Sequence, residues 1–64
     1  MYELLVYYDD DLAPRARVPM DRAMNVLAAI PTLVERYPGY QRILVMSGAA
    51  RLFWVDREGE LISD

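Results

Sequence analysis

Three consecutive carboxylates, Asp9-Asp10-Asp11, are the densest group of chemistry-bearing side chains in this 64-residue sequence. Hard cations take oxygen ligands, but a calcium loop spaces them at alternate positions around a central Gly and ends on a Glu. The triplet has neither that spacing nor those companions. As a plain acidic turn it ends a strand and discourages edge pairing, or it faces an Arg/Lys-rich protein. Asp56, Glu58, Glu60 and Asp64 make the C-terminal end acidic too. The two clusters together either form a negative band resembling a phosphate backbone or serve solubility alone.

Catalysis has little to work with. The chain contains no His and no Cys, so a general base has to be a carboxylate or a Tyr, and a nucleophile has to be Ser47, Ser63, Thr32 or a carboxylate. Neither serine stands in a nucleophile-elbow context. The three glycines match neither the Walker nor the dinucleotide pattern. A zinc site built from carboxylates alone would be unusual. The expectation is therefore a protein that is not an enzyme and uses no metal and no cofactor.

Charge and arginine usage point to protein rather than nucleic acid as the partner. The net charge is −3, which opposes non-specific binding to a polyanion and suits a basic protein partner. All seven basic residues are Arg. That usage fits either a GC-rich bacterial or phage genome or selection for bidentate and stacking contacts. Arg15 and Arg17 flank the aspartates, and on a surface such pairs contribute little. Tyr37 and Tyr40 bracket Pro38-Gly39, where aromatic residues pack a helix end more often than they stack on a base.

The elements that must position these groups are few. Tyr2–Tyr8 reads as a strand and Asp9–Val18 as a long loop, with Arg15–Val18 as an alternative return strand pairing with the first. Pro19 and Asp21 suit the first turn of a helix. Met20, Ala23, Met24, Leu27, Ile30, Val34 and Tyr37 recur at spacings of three and four, which makes one helical stripe. Pro31 interrupts it, predicting a kink or two short helices meeting near Ile30. Pro38-Gly39 ends the helix. Two strands follow, Gln41–Met46 and Arg51–Val55, joined by a turn at Ser47–Ala50. Asp56–Gly59 forms a tight turn into a short edge strand at Glu60–Ile62. The fold class is α/β (α+β): a single two-layer domain over residues 1–64, β-α-β-β(-β), with one Pro-kinked helix on a small sheet. The N-terminal run lacks a basic leader and nothing approaches the ~18 apolar residues of a membrane span, so a cytoplasmic protein of a bacterial host is expected, with no membrane contact.

Strand side chains alternate between two faces, and here neither face is polar. One set, Leu4/Val6, Ile43/Val45 and Phe53/Val55, is aliphatic enough to lie beneath the helix. The other holds Glu3, Leu5, Tyr7, Arg42, Leu44, Met46, Leu52 and Trp54. A helix of this length covers one face of such a sheet. Tyr, Trp, Arg and Met are enriched at interfaces, so the second set predicts a partner surface, the long loop folding back over it being the alternative. A homodimer is one way to cover it. The candidate partner-binding residues are thus Tyr7, Arg42 and Trp54 on that face and Asp9, Asp10, Asp11, Asp56 and Glu58 in the acidic turns.

In size, acidity, freedom from Cys and His, and strand-helix-hairpin layout, the whole chain resembles the small inhibitors of bacterial defence encoded by phages and mobile elements, among them the anti-CRISPR proteins. No residue motif carries the likeness, so no binding residue transfers from it. The resemblance implies stoichiometric inhibition, with an acidic or aromatic surface occupying the nucleic-acid-binding groove of a basic protein or complex. An antitoxin or small regulatory subunit, binding a partner or its own copy through the open sheet face, is the alternative. A carboxylate-based enzyme is the remaining one.

Overall fold

In a computed structural model that describes residues 1–63, Tyr2–Tyr7 forms strand β1, as its density of aromatic and β-branched residues predicts. The chain then turns and comes back. Strand β2, Ala16–Met20, runs antiparallel to β1, with Val18 opposite Leu4 and Ala16 opposite Val6. Pro19 and Met20 therefore belong to a strand and not to the start of the helix, and the unstructured segment is shorter than expected. Pro19 is tolerated because β2 is the outermost strand of the sheet, where one side of the ladder stays open.

Helix α1 spans Ala23–Arg36 and buries Val26, Ile30 and Leu33, with Ala29, Val34 and Tyr37 packed beside them. The apolar stripe is rotated from the expected one: Met24 and Leu27 are 71% and 58% exposed. Once Met20 is committed to β2, Val26 rather than Met20 sets the phase of the helix. Pro31 lies inside α1, which runs through it as one element instead of breaking in two. Pro31 and Leu27 are both on the exposed side, so the Leu27 carbonyl that loses its N–H partner to the proline has water at hand.

Strands β3 (Arg42–Ser47) and β4 (Ala50–Val55) form a hairpin, and β5 (Leu61–Ile62) pairs with the end of β4. Gly48 has φ +61 and Ala49 stays at negative φ, the pattern of a two-residue turn with Gly leading. The sheet order is β2-β1-β3-β4-β5, with every neighbouring pair antiparallel. Leu4, Val6, Ile43, Val45 and Val55 have no exposed surface and form the core beneath α1. The helix packs over the β1–β2 half of the sheet. An apolar cleft of about 180 Å³ remains between Val26 and Leu27 on one side and Leu52 and Phe53 on the other.

The β3–β4 ladder has one irregularity with consequences for the surface. Val45 stands opposite Phe53, but Met46 stands opposite Arg51, so Leu52 is an extra residue on β4. A bulge of this kind re-aims the side chains beyond it. Leu52, expected on the open face beside Trp54, instead lines the cleft under the helix, and Arg51 takes a place on the open face. Among the described residues, no helix is long and apolar enough to cross a membrane.

Candidate binding face

Because α1 covers one side of the sheet, the register fixes what the other side shows. One row crosses all five strands: Arg17, Leu5, Leu44, Trp54 and Ile62 are successive lateral neighbours. A second row runs Pro19, Glu3, Met46 and Arg51, and a third begins with Tyr7 and Arg42. Among the described residues no element lies over these rows. The segment after β1 turns back at the strand ends, with the Arg15 N–H bonded to the Val6 carbonyl, and does not roof this face. Leu5 is closed in by its row neighbours to 8% exposure, whereas Tyr7, Arg42, Leu44, Met46 and Trp54 are half-buried.

Two contacts between described residues help to order the polar groups of the face. The Arg42 guanidinium carbon lies 4.8 Å from the centre of the Tyr7 ring, within cation–π range. Arg17 pairs with Glu3 at 3.6 Å, a surface contact of small energetic weight that sets side-chain direction more than stability. An open groove of about 390 Å³ runs among Gln41, Arg42, Leu44, Arg51 and Trp54. The face thus combines two aromatics, three arginines and aliphatic ground, residue types enriched at interfaces.

Tyr7, Arg42 and Trp54, singled out from strand alternation, share this face. Arg51 and Gln41 were not anticipated. A signal for Arg51 does exist in the sequence. A two-residue turn at Gly48-Ala49 pins Ser47 opposite Ala50, while the core needs Val45 opposite Phe53. One residue then separates the pins on β3 and two on β4, so β4 has to bulge. For Gln41 no comparable signal exists, since its role depends on a tertiary contact with Arg57.

The acidic residues gather at one end of the sheet, where β1 ends and β4 turns into β5. Arg57 joins the two clusters, donating from Nη2 to Asp9 Oδ1 at 3.2 Å and to Gln41 Oε1. Their carboxylates have different occupations. Asp11 accepts the Tyr8 N–H on Oδ2 and Arg15 on Oδ1, both at 3.0 Å. The Tyr8 N–H foremost, opposed by burial and aided by Arg15, holds the Asp11 carboxyl below its ordinary 3.8. Asp56 Oδ1 accepts the N–H groups of Glu58 and Glu60, both at 2.9 Å, and so closes the turn itself. Asp10 and Glu58 are exposed, and Asp64 lies outside the described residues. Asp11 and Asp56 are thereby folding groups, Asp9 is ion-paired, and Asp10, Glu58 and Glu60 are exposed. Among the described residues no three acidic side chains are grouped to hold a metal.

No family model, curated protein or solved structure matches the chain.

Proposed function

We propose that this chain is a non-catalytic protein-binding domain that engages its partner through the open face of the sheet. The observation that carries this reading is the row running from Arg17 through Leu5, Leu44 and Trp54 to Ile62, apolar across four strands and, among the described residues, without a covering layer. Size supports it. One of six sides of a body with 4393 Å² of surface is roughly 700 Å², close to the ~800 Å² per partner of a standard specific complex. The best-placed carboxylates, Asp11 and Asp56, are occupied by backbone N–H groups, which leaves little for acid–base work.

The acidic end adjoins this face through Gln41 and Arg42, and it favours a target whose site is rimmed by basic residues, as a nucleic-acid-binding surface is. On this reading the domain acts as a stoichiometric inhibitor of such a protein in a bacterial cytoplasm, in the manner of the phage-encoded inhibitors it resembles in profile. The regulatory-subunit alternative uses the same face with a different occupant. The test is capture from host lysate by immobilised wild-type and Trp54→Glu chains, followed by a nucleic-acid-binding assay on whatever is captured. Trp54→Glu should lose the captured protein while unfolding as cooperatively as the wild type. Equal capture by both chains overturns the assignment of the face. A captured protein that still binds nucleic acid while in the complex overturns the inhibitor reading.

A further inference from the structure

Arg42 differs from the other cations of the open face. Arg17 is paired with Glu3, and Arg51 has an interaction within the chain. The Arg42 guanidinium lies over the Tyr7 ring, and among the described residues no carboxylate is within ion-pair distance of it. Stacking occupies one flat side of a guanidinium and leaves its N–H edge available. Arg42 lines the groove with Gln41, Leu44 and Trp54, and none of the described residues lining that groove is acidic. Beyond Arg42 the ground turns apolar. Leu44 and Met46 follow it at alternate positions of β3, on the same face, at steps of about 7 Å. A cation followed by two apolar side chains thus runs along the central strand.

We propose that the open face receives a segment of a partner protein that sets a carboxylate on Arg42 and apolar side chains on Leu44 and Met46. This rests on the reading that the open face is a protein-binding surface. The occupant follows from what Arg42 needs and from what surrounds it. A partner covering the face desolvates Arg42, and a buried guanidinium without a counter-charge is costly, so a wholly apolar or basic contact is disfavoured. A carboxylate takes the guanidinium edge in two parallel hydrogen bonds, and the Tyr7 contact orders that edge beforehand. Phosphate would satisfy Arg42 as well. A nucleic acid, however, would carry further phosphates towards the exposed Asp10 and Glu58 at the adjoining acidic end, which repel them. Leu44 and Met46 also offer its bases no aromatic platform. A protein segment with one carboxylate among apolar residues meets neither obstacle. Alternate side chains of an extended segment repeat at the same step of about 7 Å, so the pattern acidic-x-apolar-x-apolar matches the β3 column residue by residue. Basic groups elsewhere on the partner then meet Asp10 and Glu58.

The probes are two pentapeptides, acetyl-Glu-Ser-Leu-Ser-Leu-amide and its Gln counterpart, titrated into the purified full chain. Trp54 is the one tryptophan of the sequence and lines the groove, so its fluorescence reports occupancy of this face. The Glu peptide should bind at least about tenfold more tightly than the Gln peptide, the loss expected when a charge-assisted pair becomes a neutral one. Arg42→Gln should remove that preference. Arg42→Lys, which keeps the charge without the fork, should keep part of it. Urea unfolding followed through Trp54 checks that both variants fold. Should Arg42→Gln not fold, the wild-type comparison of the two peptides, together with Arg42→Lys, decides alone. Equal affinity of the two peptides for the wild type overturns the proposal, as does a preference that survives Arg42→Gln. So does an unchanged Trp54 emission up to about 10 mM of the Glu peptide. Oligothymidylate bound in preference to the Glu peptide, and released by Arg42→Gln, would overturn it in favour of nucleic acid. If Trp54→Glu loses foreign-protein capture while the two peptides bind alike, the binding face stands and the carboxylate contact falls.

Discussion

The Tyr40 hydroxyl donates a hydrogen bond to the main-chain carbonyl of Asp56 at 2.5 Å, although the two residues are 16 positions apart. Tyr40 is 4% exposed and stands where the chain leaves α1 and enters β3. Asp56 opens the turn between β4 and β5. This single bond therefore ties the helix exit to the turn that presents Glu58 and Arg57, and it positions the acidic end beside the open face. Burial first, and the Asp56 charge second, push the Tyr40 phenol above its ordinary 10.0.

Tyr40→Phe should lower stability by about 1 kcal/mol, the usual net worth of a hydrogen bond whose acceptor is left partly buried. The same substitution should change the alkaline response. A raised folded pKa means the folded state holds the proton more tightly than the unfolded chain does. That contribution is complete below pH 10.0 and is lost as pH rises through the raised folded value. Urea unfolding at increasing alkaline pH should show the wild type converging on Tyr40→Phe. A gap that stays constant would separate the bond from the titration.

Asp11 works in the opposite sense. Its carboxyl is held below 3.8 in the folded protein, chiefly by the Tyr8 N–H, so its contribution is present above that value and disappears as pH falls through the depressed folded one. Asp11→Asn keeps an oxygen for the Tyr8 N–H but gives up the charge that also engages Arg15. The variant should be less stable than wild type at neutral pH and equal to it in strong acid, as measured by thermal unfolding across the acid range. If the difference persists undiminished in acid, the charge is not what the turn uses.

How far the sequence disclosed this arrangement can be followed through particular residues. Leu4, Val6, Ile43, Val45 and Val55 were assignable to the covered side because strand alternation is strict wherever no bulge intervenes. Tyr7, Arg42 and Trp54 were assignable to the open side for the same reason. Leu52 failed because a count of alternate residues has no place for an extra one. Pro19 and Met20 failed because a proline before an apolar stripe signals a helix start as readily as an edge strand. That error propagated into α1, where starting the stripe at Met20 favours Met24 and Leu27 over Val26 and Leu33. The acidic residues could be located but not sorted, since whether a carboxylate closes a turn or projects depends on N–H groups that only the folded backbone supplies.

The corrected phase of α1 makes its own prediction. Leu33 is 5% exposed and belongs to the core, whereas Leu27 is 58% exposed at the rim of the cleft. Leu33→Ala should cost roughly 2–5 kcal/mol as a buried large-to-small change, and Leu27→Ala should cost less than about 1 kcal/mol as a substitution on the exposed side. Denaturant midpoints of the two variants decide the matter. Equal losses would overturn the placing of Leu33 in the core and Leu27 at the rim.

Pro31 offers the clearest separation of stability from binding. It sits past the middle of α1, where it withholds an N–H from the Leu27 carbonyl and crowds it with the ring. A proline in a helix interior is worse than alanine by about 3 kcal/mol, offset in part because proline also restricts the unfolded chain. Pro31 is exposed, so replacing it forfeits little packing. Pro31→Ala should therefore raise stability by about 2 kcal/mol, seen as a higher urea midpoint at unchanged slope. The helix lies on the side of the sheet opposite Arg42, Leu44 and Trp54, so partner capture should not change. A stabilised variant that lost capture would mean that the helix side, through the cleft beside Leu27 and Leu52, takes part in the contact, and the open face would no longer account for it alone.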